Sequence, residues 1–245
     1  MTRAEIQFVR SLSDKRTRDC EGLFIAEGEK LVREIIDSTL RIRRIYTTRR
    51  DIVAEMVDIV EQRDMERISQ LKSASDTLAV VEQPRHVLSS ENLGELALAL
   101  DGVQNPGNMG TIIRLADWFG IKDIVCSAEC ADCYNPKVVQ ATMGAILRVR
   151  VHYSDNLASL LDTAAKRGTA IYGTLLDGDN IYSQELRYPA IVVMGNEGRG
   201  LTAECRRSIT DKLYIPPYPA ESPTSESLNV AMATGIVLAE FRRPK

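Results

Sequence analysis

Three stretches of this chain combine glycine, asparagine and charge in a way that suits ligand binding. The first is Gln104-Asn-Pro-Gly-Asn-Met-Gly-Thr-Ile-Ile-Arg114. Gly107 and Gly110 let backbone approach a ligand closely, and the start of a following helix offers free N–H groups to an anion. Arg114 falls about one and a half turns into that helix, off its apolar side. The second is Met194-Gly-Asn-Glu-Gly-Arg-Gly-Leu201, in which three glycines surround the carboxylate of Glu197. Its spacing fits neither the dinucleotide G-x-G-x-x-G pattern nor the P-loop. The third runs from Ile215-Pro-Pro-Tyr to Glu226-Ser-Leu-Asn-Val-Ala-Met-Ala-Thr-Gly235. There Ser227 is a fair helix N-cap, and Asn229 can reach a ligand or a neighbouring loop. A fourth pattern, Cys126-x-x-x-Cys130-x-x-Cys133, has the spacing of a three-thiolate iron–sulfur site. The plainer alternative is a set of small, partly exposed loop cysteines.

These stretches need elements to position them. Apolar periodicity predicts helices over Met109–Phe119, Pro136–Met143, Leu157–Arg167 and Asn229–Arg242. Apolar runs predict strands at Leu96–Val103, Asp123–Ser127, Ile146–His152, Ala170–Leu176, Ala190–Gly195 and Lys212–Pro216. Strands this apolar, alternating with helices, predict a parallel sheet covered on both faces. Ligands then bind beyond the carboxyl ends of the strands, where the three loops fall. Upstream, helical spacing over Ile25–Asp37, a strand at Arg41–Thr47, helices at Asp51–Val60 and Asp64–Lys72, and a strand at Thr77–Glu82 suggest a smaller α/β unit. The expected division is a small domain over 1–84, a polar linker over 85–95 and a larger domain over 96–245.

The 245 residues are 44% hydrophobic and 27% charged, an ordinary globular composition. No apolar run approaches the ~20 residues needed to span a bilayer. The N-terminus carries no secretory h-region, so a cytoplasmic, membrane-free location is expected. Five cysteines, an odd number, argue against a disulfide framework. Net charge is −3, yet residues 1–50 hold 12 Lys/Arg against 8 Asp/Glu. The positives cluster at Lys15–Arg18 and Arg41–Arg50, either as a solvated face or as a footprint for phosphates. His86 and His152 lack metal-ligand company and read as structural. Trp118 reads as core or subunit interface.

Taken together, the three loops resemble the three motifs of the SpoU/TrmH family of RNA 2′-O-methyltransferases, within the SPOUT superfamily. The matching pieces are N105-P-x-N-x-G-x-x-x-R114, G195-N-E-G-x-G-L201 and I215-P…S227-L-N-V-x-x-A-T-G, in that order. The resemblance covers residues 97–243, and residues 22–82 resemble the small substrate-binding domain often found ahead of it. It implies an α/β fold whose C-terminal parallel-sheet domain carries a deep trefoil knot, with Gly195 to Gly235 forming the knotted cofactor pocket. It implies S-adenosyl-L-methionine as cofactor, contacted by Gly195, Ile215, Leu228 and Asn229, with Thr174 and Leu175 as weaker candidates. It implies a central role for Arg114, engaging RNA phosphate and aiding deprotonation of the ribose hydroxyl. Asn108, Glu197, Ser227 and Asn229 match other functional positions, and Glu197 is placed to orient Arg114. It further implies a homodimer, no metal, and RNA as substrate, with ribosomal RNA favoured over transfer RNA. One departure is the third loop, lengthened by Pro217–Glu226. The competing readings are a radical S-adenosylmethionine iron–sulfur protein, carried by the cysteine spacing, and an RNA-binding protein without catalysis.

Overall fold

The computed structural model describes residues 1–88, 93–219 and 227–244. The chain folds into two compact units. The first holds Met1–Arg85 together with Asp132–Leu147, and the second holds His86–Ala131 and Arg148–Lys245. The units therefore do not follow chain order as the expected division at 85–95 did. Residues 132–147 interrupt the larger unit and pack with the smaller one.

In the first unit, strands β1 (Leu23–Glu27), β2 (Ile42–Thr47), β3 (Val57–Ile59) and β4 (Thr77–Glu82) form a sheet of order β1-β4-β2-β3. β4 runs antiparallel to β1 and β2, while β3 is parallel to β2. Alternate residues feed two cores. Leu23, Ile25, Leu78 and Val80 meet α1 (Arg3–Ser11) and α4 (Gln62–Ile68) through Ile6, Val9, Met65 and Ile68. Phe24, Ala26, Ala79 and Val81 meet Val32 and Ile35 of α3 (Glu29–Ile36) and Val139 of α6 (Pro136–Thr142). Two covered faces explain why Leu23–Ala26 of β1 and Leu78–Val81 of β4 are apolar at successive positions.

Two expectations fail here. Ile25–Asp37 is a strand followed by a helix, because Gly28 at φ 106° breaks the chain between them. Asp51–Val60 holds the edge strand β3, not a helix: pairing with β2 overrides local preference. The basic cluster at 15–18 is also split. Arg18, in α2 (Lys15–Glu21), is 1% exposed. It donates to the Leu12 and Ser13 carbonyls at 2.8 and 2.7 Å and pairs with Asp132. Arg49 is engaged by Glu29, Asp51 and Asp76. Arg16, Arg41, Arg43 and Arg50 are exposed.

The second unit is built on six parallel strands: β5 (Leu96–Asp101), β6 (Asp123–Ser127), β7 (Arg150–Ser154), β8 (Ala170–Asn180), β9 (Ala190–Gly195) and β10 (Asp211–Tyr214). Their order is β10-β8-β9-β5-β6-β7. Ala97, Ala99, Val125, Ile171, Ile191 and Val193 pack with α7 (Leu157–Lys166) and with Cys205 of α8 (Ala203–Arg207). Tyr172, the neighbour of Ile171, meets Phe241 of α9 (Val230–Phe241) edge-on at 5.2 Å. This puts α9 on the other face, where it packs against α5 (Pro106–Trp118). β7 begins at Arg150, four residues later than expected, because Ala145–Leu147 form a short 3-10 turn. No helix among the described residues is long and apolar enough to cross a membrane.

Candidate active site

The sheet order brings distant sequence together. β5, β9, β8 and β10 are consecutive neighbours, so the chain after each emerges along one carboxyl rim. β5 ends in Asp101, and Gly102 turns the chain at φ 74°. Asn105 then caps α5, accepting from the Gly107 and Asn108 amides at 2.8 and 3.1 Å. Pro106 at the first helical position is pre-set for the turn. The helix carries Gly107, Thr111, Arg114 and Trp118 along one exposed stripe.

β9 ends at Gly195, where backbone is pressed against backbone. A Cβ there would lie 2.5–2.8 Å from Gly200 and Leu201 main-chain atoms. Asn196 closes the loop, its Oδ1 accepting from the Gly198 and Arg199 amides at 3.0 Å each. Its Nδ2 donates to the Gly102 carbonyl at 2.7 Å, tying the second loop to the first. Buried Asp101 adds a further tie, accepting from the Thr202 amide and hydroxyl at 2.6 and 2.8 Å.

Asn229, not Ser227, caps α9: its Oδ1 accepts from the Ala231 and Met232 amides at 3.0 and 3.3 Å. Its Nδ2 donates to Asn108 Oδ1 at 3.0 Å, and Asn108 Nδ2 donates to Glu197 Oε1 at 2.8 Å. One chain of side-chain bonds thus joins all three loops. Glu197 is engaged with Asn108, and among the described residues it has no bond to Arg114. The Arg114 guanidinium stands exposed with no partner among them. Ser227 and Leu228 are exposed beside Asn229.

Thr174 and Leu175, midway along β8 just past its pairing with β9, Gly195 at the end of β9 and Ile215 just after β10 are all half-buried. Thr174 donates to the Val193 carbonyl at 3.4 Å. These residues offer backbone donors and acceptors beside apolar surface, which suits the hydrogen-bonding edge and flat faces of a nucleoside cofactor. Of the lengthened third loop, residues 220–226 lie outside the described residues, as do 89–92 of the expected linker.

Sequence reasoning missed the roles of Asp101, Asn105, Asn196 and Thr202. The two asparagines stood inside the motifs, and an acidic residue closing an apolar strand marked Asp101. The three cysteines are not partly exposed loop residues: Cys126, Cys130 and Cys133 are all buried. Among the described residues no group of His, Cys, Asp and Glu is arranged to hold a metal ion. His152 bonds Asp123 at 2.9 Å beside the Asp123–Arg150 ion pair, and His86 meets its ring edge-on. Trp118 is 83% exposed and is not core.

Residues 95–239 match the SpoU rRNA Methylase family, and residues 3–89 match the MRM3-like substrate binding domain. The chain is 28% identical over 240 residues to the 23S rRNA (guanosine(2553)-2′-O)-methyltransferase RlmP of Bacillus subtilis, covering 95% of this chain and 94% of that one. It is 36% identical to the 23S rRNA (guanosine-2′-O-)-methyltransferase RlmB of Xanthomonas campestris over 61% of its length, spanning 59% of that protein. A Porphyromonas gingivalis structure assigned to the TrmH family of RNA methyltransferases superposes with TM-score 0.90 at 40% identity, covering 99% and 98% of the two chains. The AdoMet-bound rRNA methyltransferase of Sinorhizobium meliloti superposes with TM-score 0.87 at 29% identity, covering 99% and 95%. This chain belongs to the SpoU rRNA methylase family.

Proposed function

We propose that the chain transfers a methyl group from S-adenosyl-L-methionine to a ribose 2′-oxygen of ribosomal RNA in the cytoplasm. The observation that carries this is the Glu197–Asn108–Asn229 chain of bonds, which locks three family motifs into one rim beside the exposed Arg114. Full-length similarity to an enzyme named for 23S rRNA favours ribosomal over transfer RNA.

Gly195, Ile215, Leu228, Thr174 and Leu175 would hold the cofactor, whose sulfonium supplies an already activated methyl group. The protein's task is then alignment. Arg114, always charged and able to grip two phosphate oxygens at once, fixes the RNA backbone. A guanidinium, with five N–H donors and no acceptor, suits phosphate rather than the taking of the hydroxyl proton. Asn108 and Asn229 hold the start of both flanking helices in register, and Glu197 braces Asn108. Ser227, exposed beside Asn229, is placed to meet the ribose.

We assign RNA capture to residues 1–84, with Arg16, Arg41, Arg43 and Arg50 as exposed cations, residues 85–95 as the linker and residues 96–245 as the catalytic domain. Homodimerisation is supported by the outward faces of α5 and α9, where Trp118 and Met232 are 83% and 63% exposed. A knotted Gly195–Gly235 segment is supported by the placement of β10 against β8, with Gly178 pressed on the Leu213 backbone.

Ribose methylation mapped in cellular RNA with and without the gene tests the function. One ribosomal 2′-O-methyl mark should vanish in the deletion and return with the intact gene. Loss of a transfer-RNA mark instead, or of none, would overturn the substrate or the activity respectively.

A further inference from the structure

We infer that Asp177 is a positioning residue for the cofactor, holding in place the part of β8 that carries Thr174 and Leu175, a role that rests on those two residues lining the cofactor pocket as proposed. β8 keeps step with β10 only in part. Lys212 of β10 pairs with Gly173, but the next residue, Leu213, pairs with Asp179. Pairing with β9 also ends at Gly173. Residues 174–178 therefore form an excursion outside both ladders. Glycines mark its two ends. A Cβ on Gly173 would lie 2.8–3.1 Å from Ile209 side-chain atoms, and one on Gly178 would lie 2.7–3.0 Å from the Leu213 backbone. Apolar burial does little to fix the residues between, since Leu176 is 68% exposed.

Asp177 ties this excursion down. Its Oδ2 accepts from Arg206 Nη2 at 2.7 Å and from Lys212 Nζ at 2.8 Å. Arg206 belongs to α8, which follows the 195–201 loop, and Lys212 belongs to β10, which runs into Ile215. One carboxylate oxygen thus joins the Thr174–Leu175 segment to the two elements that border Gly195 and Ile215. A single exposed ion pair contributes little to stability. Two charge-assisted bonds that meet on one oxygen nevertheless restrict where the excursion can lie. The bond from Lys212, with that from Arg206, outweighs desolvation and holds the Asp177 carboxyl below its ordinary value, so the tie persists at neutral pH. At the other end, Thr174 reaches the Val193 carbonyl only at 3.4 Å. Asp177 needs no contact with the cofactor. It sets where the Thr174 and Leu175 backbone groups stand, and a pre-ordered segment spares binding the cost of ordering it.

The test compares the full chain with Asp177→Asn, which keeps the shape and removes the charge. In calorimetry with S-adenosylhomocysteine the dissociation constant should rise roughly tenfold. The thermal midpoint of the free protein should hold, because Asp177, Arg206 and Lys212 are all about half exposed. Amide hydrogen exchange over 173–180 should quicken in the free variant. In methyl transfer the KM for S-adenosylmethionine should rise while kcat stays within about twofold. Asp177→Glu, which keeps the charge, should recover most of the affinity. Combining Asp177→Asn with Lys212→Met should cost less than the two changes summed. Unchanged affinity or exchange in Asp177→Asn, a lower kcat at constant KM, full additivity, or a Glu variant no better than Asn would each overturn the proposal. An unmutated chain that binds no S-adenosylhomocysteine would sink the cofactor reading and this one together, whereas normal binding that Asp177→Asn leaves unaltered sinks this one alone.

Discussion

Asn229 Nδ2 donates to Asn108 Oδ1 at 3.0 Å across 121 residues of sequence. Each of these asparagines also serves a helix start: Asn229 caps α9, and the Asn108 amide is held by the cap of α5. Breaking this bond therefore disturbs two anion-facing helix ends at once. Asn108→Ala removes the bonds to Asn229 and Glu197 together. At about 0.5–1.5 kcal/mol for the amide–amide bond and about 1.5–3 kcal/mol for the bond to the Glu197 carboxylate, kcat/KM should fall by roughly thirty- to 2,000-fold. The thermal midpoint should barely move, because both bonds are solvent-facing. Steady-state kinetics beside a melting curve checks this, and a mutant with intact kinetics would remove Asn108 from the site.

Arg114→Ala should lower methyl transfer by at least ~100-fold, since RNA held even slightly out of line loses that much. S-adenosylmethionine affinity, measured by calorimetry, should stay within a few-fold. Arg114→Lys should restore RNA binding in part and transfer little, because a single ammonium cannot grip two phosphate oxygens in fixed geometry.

Gly195→Ala has no room at the end of β9, with main-chain atoms of Gly200 and Leu201 at 2.5–2.8 Å. The 195–201 loop must move by several tenths of an ångström or more. Cofactor binding should be lost in calorimetry while circular dichroism keeps the α/β signature. A variant that binds cofactor normally would show that this tight turn is not part of the pocket.

Asp101→Asn keeps the shape of a buried side chain but replaces one charged acceptor with an amide nitrogen facing the Thr202 amide or hydroxyl. Loss of a charge-assisted bond costs about 1.5–3 kcal/mol, to be read by chemical denaturation. The second loop should loosen with it, raising the dissociation constant for cofactor. Thr202→Val should reproduce the smaller part of this, since its amide bond survives.

Glu27 sits in the first unit, 5% exposed, accepting from Ser69 Oγ at 2.7 Å and the Gln70 amide at 2.6 Å. Burial raises its pKa above the usual carboxylate range, and these two bonds only partly oppose that. The folded pKa therefore lies above the unfolded one. Its stabilising contribution is complete below the unfolded value, near 4.5, and is lost as pH rises through the folded value. Glu27→Gln should flatten the fall in denaturation free energy across that window. An unchanged pH slope would assign the dependence to another group.

Much of this arrangement was legible beforehand. The strands at Asp123–Ser127 and Ala190–Gly195 and the helix containing Arg114 follow from apolar patterning alone, because burial on both faces forces a recognisable run. The short edge strand Val57–Ile59 was not legible. Its residues are half-exposed, and only pairing with β2 makes them a strand. The two-unit division was hidden for a similar reason. Asp132–Leu147 looks like any other βα segment until Val139 is found in the core of the first unit.

By itself the sequence determined the alternation of apolar strands and helices, the three rim loops and the family they belong to, since these depend on local residue type and spacing. Tertiary structure decided which side chains meet: that Glu197 is engaged by Asn108, that Asn229 is the cap, and that Arg18 is buried against Asp132. Such pairings depend on strand order and on which groups lose water together. A one-dimensional pattern carries neither, because partners separated by dozens of residues become neighbours only when the sheet closes.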